Sequence, residues 1–243
     1  MAKVAMVEDH MMTAEGVMDV LTRRCGHEVT LFNHPSKLHT QDATFDAALV
    51  DLLFRVPDAD AALEFDTGIT ALRFFSDRGT PTILWTSGEA NRSLHLSAAF
   101  SLFDIRGAIP KDPPLAELIE CLTDVLAGKR WIHPQLRPYE TLHKERSAGE
   151  KLLASAKHRS IWKALAAGAS SHGEVARATN YAQYTIREAV GEMNQLLAHS
   201  SLLAQSADSG RPLINVSAFA RLHREFFLDH TLIEVIAERS GNS

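Results

Sequence analysis

An open α/β sheet of parallel strands with helices on both faces, followed by an all-α region, is the fold class this sequence predicts. Two observations predict it. In the first half, short strand-like runs alternate with stretches of helical periodicity, the pattern of a parallel sheet. Beyond about residue 155 only helical periodicity remains.

The elements follow in order. Val4 to Val7 reads as a strand and ends at Glu8-Asp9. Met12 to Arg24 places Val17, Val20 and Leu21 on one helical face, and Gly26 closes that helix. Val29 to Phe32 is a second strand, and Ala47 to Val50, followed by Asp51, a third. Thr70 to Asp77 reads as a helix with Ala71, Phe74 and Phe75 inward, closed by Gly79 and Pro81. Thr82 to Trp85 precedes Thr86-Ser87, and Gly107 to Pro110 precedes Lys111, which makes five strands. Leu115 to Leu126 is an amphipathic helix, preceded by Pro113-Pro114 and stopped by Gly128. Residues 133–150 hold two prolines, many charges and little apolar content, and read as a linker. Helical blocks follow from about Ser155 to His199 and from Val216 to Glu238. The second block lines Phe219, Leu222, Phe226, Ile233 and Ile236 along one stripe.

The chain has 243 residues, enough for two ordinary domains, and its 45% hydrophobic and 23% charged content is globular. No run approaches the roughly 18 apolar residues of a membrane span, so no membrane role is expected. Two distant cysteines, Cys25 and Cys121, and no leader-like pattern in Met1 to Asp9 set the expectation of a cytoplasmic protein. Charge divides unevenly: residues 1–130 carry 12 Lys and Arg against 19 Asp and Glu, and residues 151–200 carry 6 against 3. An acidic first half joined to a mildly basic second fits a regulator coupled to a nucleic-acid reader.

The chemistry lies at the strand ends. Ligands of an open parallel sheet bind beyond the carboxyl ends of its strands, so Glu8, Asp9, Asp51, Thr86 and Lys111 should converge. Three acids in one pocket repel unless a divalent cation sits among them, and hard oxygen ligands suit Mg²⁺. A lysine and a hydroxyl opposite the ion would hold the remaining oxygens of a phosphoryl group.

In this order, an acid pair, a lone Asp, a Thr and a Lys, the first half resembles the receiver domain of two-component response regulators, a flavodoxin-like doubly wound sheet of five parallel strands. The resemblance implies that Asp51 is the phosphoacceptor. It further implies that Mg²⁺ is bound directly by Asp9 and Asp51, by Glu8 through a water and by the Leu53 carbonyl, and that Thr86 and Lys111 report the phosphoryl group. It implies a sensor histidine kinase as partner, and no enzyme activity beyond phosphoryl uptake and loss. Trp131 resembles the end of the receiver's last helix. The sequence departs from the pattern at Ala108, where the family carries an aromatic, and at Ser87, where it carries alanine. It departs again in the acidic stretch of Asp58, Asp60, Glu64 and Asp66, which lengthens the segment after Asp51.

Ser155 to Leu197 resembles the helix-turn-helix output domain of the LuxR/NarL type. The matching pieces are Ser155-Ala156-Lys157, Ile161, Leu165, Glu174-Val175-Ala176 and Thr185-Ile186-Arg187. Asn180 falls at the turn, where positive φ is required. The recognition helix would run from Gln183 to Leu197, with Ile186, Val190, Met193 and Leu197 inward. Gln183, Tyr184, Arg187 and Asn194, with Lys157 and Arg177, are the expected DNA contacts. The helix is poor in cations: Glu188 and Glu192 oppose Arg187, and Gly173, Leu196 and Ala182 stand where the family has two basic residues and a serine cap. Residues 205–243 extend beyond the family domain. Their amphipathic helix either packs on its own output domain or pairs with another subunit, while His223 and His230 read as surface residues.

The expected organisation is a receiver over 1–132, a linker over 133–150, a helix-turn-helix domain over 151–204 and an extension over 205–243. The expected function is control of transcription by a homodimer at promoter DNA, gated by phosphorylation of Asp51. The alternative is a helical output domain that binds a protein partner.

Overall fold

The computed structural model describes residues 1–40 (side chains to 38), 43–52, 54, 67–86, 92–112, 114–140, 146–200, 202 and 210–241. By internal contacts the chain forms two compact units, one within residues 1–145 and one from Arg146 onward.

In the first unit β1 (Lys3–Val7), β2 (Glu28–Phe32), β3 (Ala47–Val50), β4 (Thr82–Thr86), β5 (Ile105–Pro110) and β6 (Trp131–Ile132) form one sheet. Its order is β2-β1-β3-β4-β5-β6 and all neighbours are parallel. The registers Val7↔Val50, Val50↔Leu84 and Thr86↔Pro110 bring the carboxyl ends of four strands to one edge. One face packs Val4, Met6, Leu49, Ile83, Trp85 and Ile109 against α1 (Met11–Arg23) and α4 (Leu115–Leu126). The alternate residues Ala5, Val7, Ala48, Val50, Leu84 and Ala108 are as fully buried, and α2 (Gly68–Asp77) lies against β3 and β4. The sheet is thus covered on both faces, as expected.

Three features differ from expectation. The sheet has a sixth strand, because Gly128 (φ +78°) turns the chain back after α4. Trp131 and Ile132 then pair with Gly107 and Ala108, so Trp131 lies in a strand and not at a helix end. Two residues are too few to show a period. Next, α3 (Ser93–Leu102) forms where periodicity gave no helix: Leu94, His95, Leu96, Ala98, Ala99, Phe100 and Ser101 are all buried, so it has no polar face to betray it. Lastly, a 3₁₀ turn, Pro35–Thr40, stands between β2 and β3.

The second unit contains α5 (Ala148–Leu153), α6 (Ala156–Ala166), α7 (His172–Thr179), α8 (Gln183–His199), α9 (Pro212–Leu222), α10 (Arg224–Leu228) and α11 (His230–Arg239). Ser155 caps α6, Ser171 and Glu174 form a capping box on α7, and Asn180 ends α7 at φ +58°. The inward set Ile186, Val190, Met193 and Leu197 is buried as expected. The single C-terminal helix is instead three. The Asp229 side chain accepts from the Leu232 amide, 2.9 Å away, and this cap starts a new helix in place of continuing the old one.

The extension is a second half of this unit's core. α9 packs on α6 and α8, α10 on α6, and α11 on α5. The Trp162 ring stacks on Phe227 at 4.3 Å and 7°, with Phe219 at 5.9 Å. A Cβ on Gly149 would lie 2.5 Å from Phe226 Cζ, so only glycine admits that ring. His223, read as a surface residue, is buried against Phe219 with ring centroids 4.5 Å apart, while His230 is exposed. The Arg239 guanidinium lies 3.1 Å from the buried Glu150 carboxylate and ties the last helix to the first.

Candidate functional site

The strand order reverses between β1 and β3, and in an open α/β sheet that is where ligands bind. β1 delivers Glu8 and Asp9 there, and β3 delivers Asp51. The Asp51 amide donates to the Val7 carbonyl at 3.0 Å, so the backbone at Asp51 is an extension of the sheet. On the other side the Gly68 amide donates to the Leu52 carbonyl at 2.9 Å. A Cβ on Gly68 would stand 2.0 Å from the Asp51 carbonyl oxygen, so α2 approaches Asp51 as closely as a glycine allows.

One ligand oxygen each from Glu8, Asp9 and Asp51 gather within 4.8 Å. Glu8 is 0% and Asp51 2% exposed. From β5, the Lys111 ammonium bridges two of them, 2.6 Å from Glu8 Oε2 and 2.8 Å from Asp51 Oδ2, and it stands 5.4 Å from the centre of the Trp85 ring. Glu8 Oε1 accepts from the His10 amide at 3.0 Å, and Asp51 Oδ1 from the Leu52 amide at 2.8 Å. Thr86 is fully buried at the end of β4, beside Pro110 and hence one residue from Lys111. Leu53, Ser87 and the acidic residues 58, 60, 64 and 66 lie outside the described residues.

Burial pushes the Asp51 carboxyl above the usual carboxylate range, against the pull of Lys111 and Arg92. Glu8 is pushed up by burial and then by the charge of Asp51, with Lys111 opposing. Burial alone would lower the Lys111 ammonium, but Asp51 and Glu8 overcome it and raise its pKa. The pocket therefore holds more negative charge than its own cations settle. Three converging carboxylates of this kind fit a hard divalent ion such as Mg²⁺. A groove of about 650 Å³, lined in part by Asp9, His10, Met12, His34 and Lys37, opens beside them.

Arg92, which the sequence reading passed over, places Nη1 3.9 Å from Asp51 Oδ1. The one signal was available: it is the only Lys or Arg between Thr86 and Asp104.

In the second unit the predicted contacts separate into two groups. Gln183, Tyr184, Arg187 and Arg177 are exposed at the start of α8 and the end of α7, with Tyr181 beside them. The other two are engaged within the unit. Asn194 Oδ1 accepts from Asn215 Nδ2 at 3.1 Å, because α9 covers that stretch of α8. Lys157 lies 3.3 Å from Glu192, which His158 also meets at 3.1 Å. Tyr184 itself donates its hydroxyl to Glu188.

No family model matches the chain, and no curated protein matches it. Solved structures do. RcsB from Salmonella enterica serovar Typhimurium, bound to a promoter in the presence of phosphomimetic BeF3−, superposes with a TM-score of 0.56 at 18% identity, over 88% of this chain and 97% of that one. A complex of the two-component response regulator RcsB with DNA gives 0.53 at 20% identity, over 89% and 98%. A structure of two RcsB dimers on two parallel DNAs gives 0.51 at 19%, over 83% and 98%. At these identities the likeness establishes the fold alone: a receiver-type parallel sheet followed by a helix-turn-helix domain, as in RcsB.

Proposed function

We propose that the chain is a response regulator in which Asp51 takes a phosphoryl group from a sensor histidine kinase and α8 engages promoter DNA. The observation that carries this reading is the Lys111 bridge between Glu8 and Asp51 inside a buried acidic cluster at the strand-order reversal. The Asp51 carboxylate oxygen attacks the donor phosphorus and the donor's leaving group departs with its electron pair, giving an acyl phosphate. When bound, Mg²⁺ held by Glu8, Asp9 and Asp51 supplies the charge that neutralises the phosphoryl oxygens. Lys111 keeps a cation on the acceptor throughout, and the buried Thr86 hydroxyl stands on the adjacent strand end to follow the new group. Phosphoryl transfer asks for positioning and charge neutralisation, and these residues provide both.

Incubation with Mg²⁺ and acetyl phosphate, read by intact mass, tests the first half. Wild type should gain one phosphoryl mass and Asp51→Asn none. Labelling of the variant would refute the assignment.

A second reading has its own support. Lys157 is paired with Glu192, Asn194 is engaged by Asn215, and Tyr184 bonds to Glu188, so several polar groups on and beside α8 already have partners within the unit. That favours a helical unit whose exposed face, Tyr181, Tyr184 and Arg187, docks on a protein. Titration with promoter fragments at two salt concentrations separates the two, since a DNA reader must weaken as salt rises.

A further inference from the structure

The geometry points to Arg92 as a second cation of the phosphoryl pocket, one that opposes divalent binding to the acid cluster and holds the phosphoryl group once it is formed. The inference rests on Asp51 being the phosphoacceptor. Arg92 sits at the very start of α3, with its side chain 15% exposed, and faces the Asp51 carboxylate oxygen that Lys111 does not contact. Lys111 contacts Oδ2 at 2.8 Å, whereas Arg92 faces Oδ1 at 3.9 Å. That distance is too long for a hydrogen bond to the carboxylate. It leaves room for oxygens that project beyond the carboxylate, and a guanidinium presents five N–H donors in a fork suited to a phosphoryl group.

Charge gives the same answer. Among the described residues, the three carboxylates Glu8, Asp9 and Asp51 against Lys111 and Arg92 leave one net negative charge. A divalent ion turns this into one net positive charge. Transfer from acetyl phosphate forms the Asp51 O–P bond, breaks the P–O bond to acetate and releases acetate with its electron pair. The carboxylate's single charge becomes the phosphoryl's two, and the pocket reaches neutrality. Without Arg92 the balanced state would be the metal-loaded, unphosphorylated one. Arg92 thus moves the electrostatic optimum from the resting to the phosphorylated protein. It already acts on Asp51, offsetting part of the burial that raises that carboxyl's pKa.

The test uses full-length wild type, Arg92→Gln, Arg92→Lys and Asp51→Asn. Mg²⁺ alone is titrated against tryptophan emission, since Trp85 lies under Lys111. Phosphoryl uptake from acetyl phosphate at saturating Mg²⁺, and its decay after donor removal, are followed by intact mass. Arg92→Gln should bind Mg²⁺ about tenfold more tightly, having lost a nearby like charge. It should take up phosphoryl, or retain it, about ten- to a hundredfold less well, and Arg92→Lys should recover part of both. Mg²⁺ affinity and phosphoryl kinetics equal to wild type in Arg92→Gln would overturn the inference, as would tighter Mg²⁺ with unchanged kinetics. No uptake by wild type itself, with Mg²⁺ still bound, would instead strike the phosphoacceptor reading and carry this inference down with it.

Discussion

Lys111 and Asp51, sixty residues apart in sequence, meet at 2.8 Å through a single ammonium that also touches Glu8 at 2.6 Å. The contact joins β5 to β3 across β4, so any change of charge at Asp51 is felt at once on the strand that carries Lys111.

The pH dependence of this pocket has a definite sign. Asp51 and Glu8 have folded pKa values raised above 3.8 and 4.5. A raised value contributes stability below the unfolded pKa and loses it as pH climbs through the folded one. Lys111 is raised as well, so its contribution persists past neutrality and fails only above 10.5. The acids therefore burden the metal-free protein increasingly from acid toward neutral pH, where a divalent ion relieves them. Thermal melts with and without Mg²⁺ should show a small stabilisation at about pH 4–5 that grows toward about pH 8. A Mg²⁺ effect that is flat across that range would contradict the charge assignment.

Gly68→Ala should damage the Asp51 site without touching a charge. Its new methyl would meet the Asp51 carbonyl oxygen at 2.0 Å and Leu52 Cα at 2.7 Å, both backbone atoms. Overpacking of this kind costs about 1–3 kcal/mol, and relief of the clash displaces Asp51 from Lys111. Urea denaturation should register the loss, and phosphoryl uptake from acetyl phosphate should slow more than the stability change alone explains.

Phe227→Ala should cost the second unit about 3–5 kcal/mol. The ring lies stacked on Trp162, the largest fully buried side chain of that unit, and against Phe226 and Phe219. Trp162 emission should shift to the red in the variant, reporting water where Phe227 was.

Two substitutions on α8 should diverge. Arg187→Ala, at an exposed position, should weaken binding to target DNA by about 1–3 kcal/mol. Asn194→Ala should leave affinity nearly unchanged and lower stability by about 1 kcal/mol, because its partner is Asn215. Equal losses of affinity in fluorescence anisotropy would mean that α9 leaves α8 when DNA binds.

The strands of the site were legible because each strand is a short apolar run and each candidate residue simply follows its end. Glu8, Asp9, Asp51, Thr86 and Lys111 come to one edge because parallel strands in register stop at the same level. The turn at Asn180 was legible for an equally local reason, a φ of +58° that few residues other than glycine and asparagine accept.

What the sequence by itself determined is therefore the periodic and the local: the parallel sheet, the polar residues at its strand ends, the glycines that stop helices and the inward stripe of α8. Tertiary structure alone decided the rest. α3 buries seven of its ten residues and shows no stripe, and β6 exists only because β5 offers it an edge. Arg92 meets Asp51 only because α3 starts where it does. Asn194 and Lys157 lost their freedom to α9 and to Glu192, neighbours 21 and 35 residues away. A period reports which face of an element is covered. It carries no information about which distant side chain does the covering, and that choice, made by packing, sets the charge at Asp51 and the exposed surface of α8.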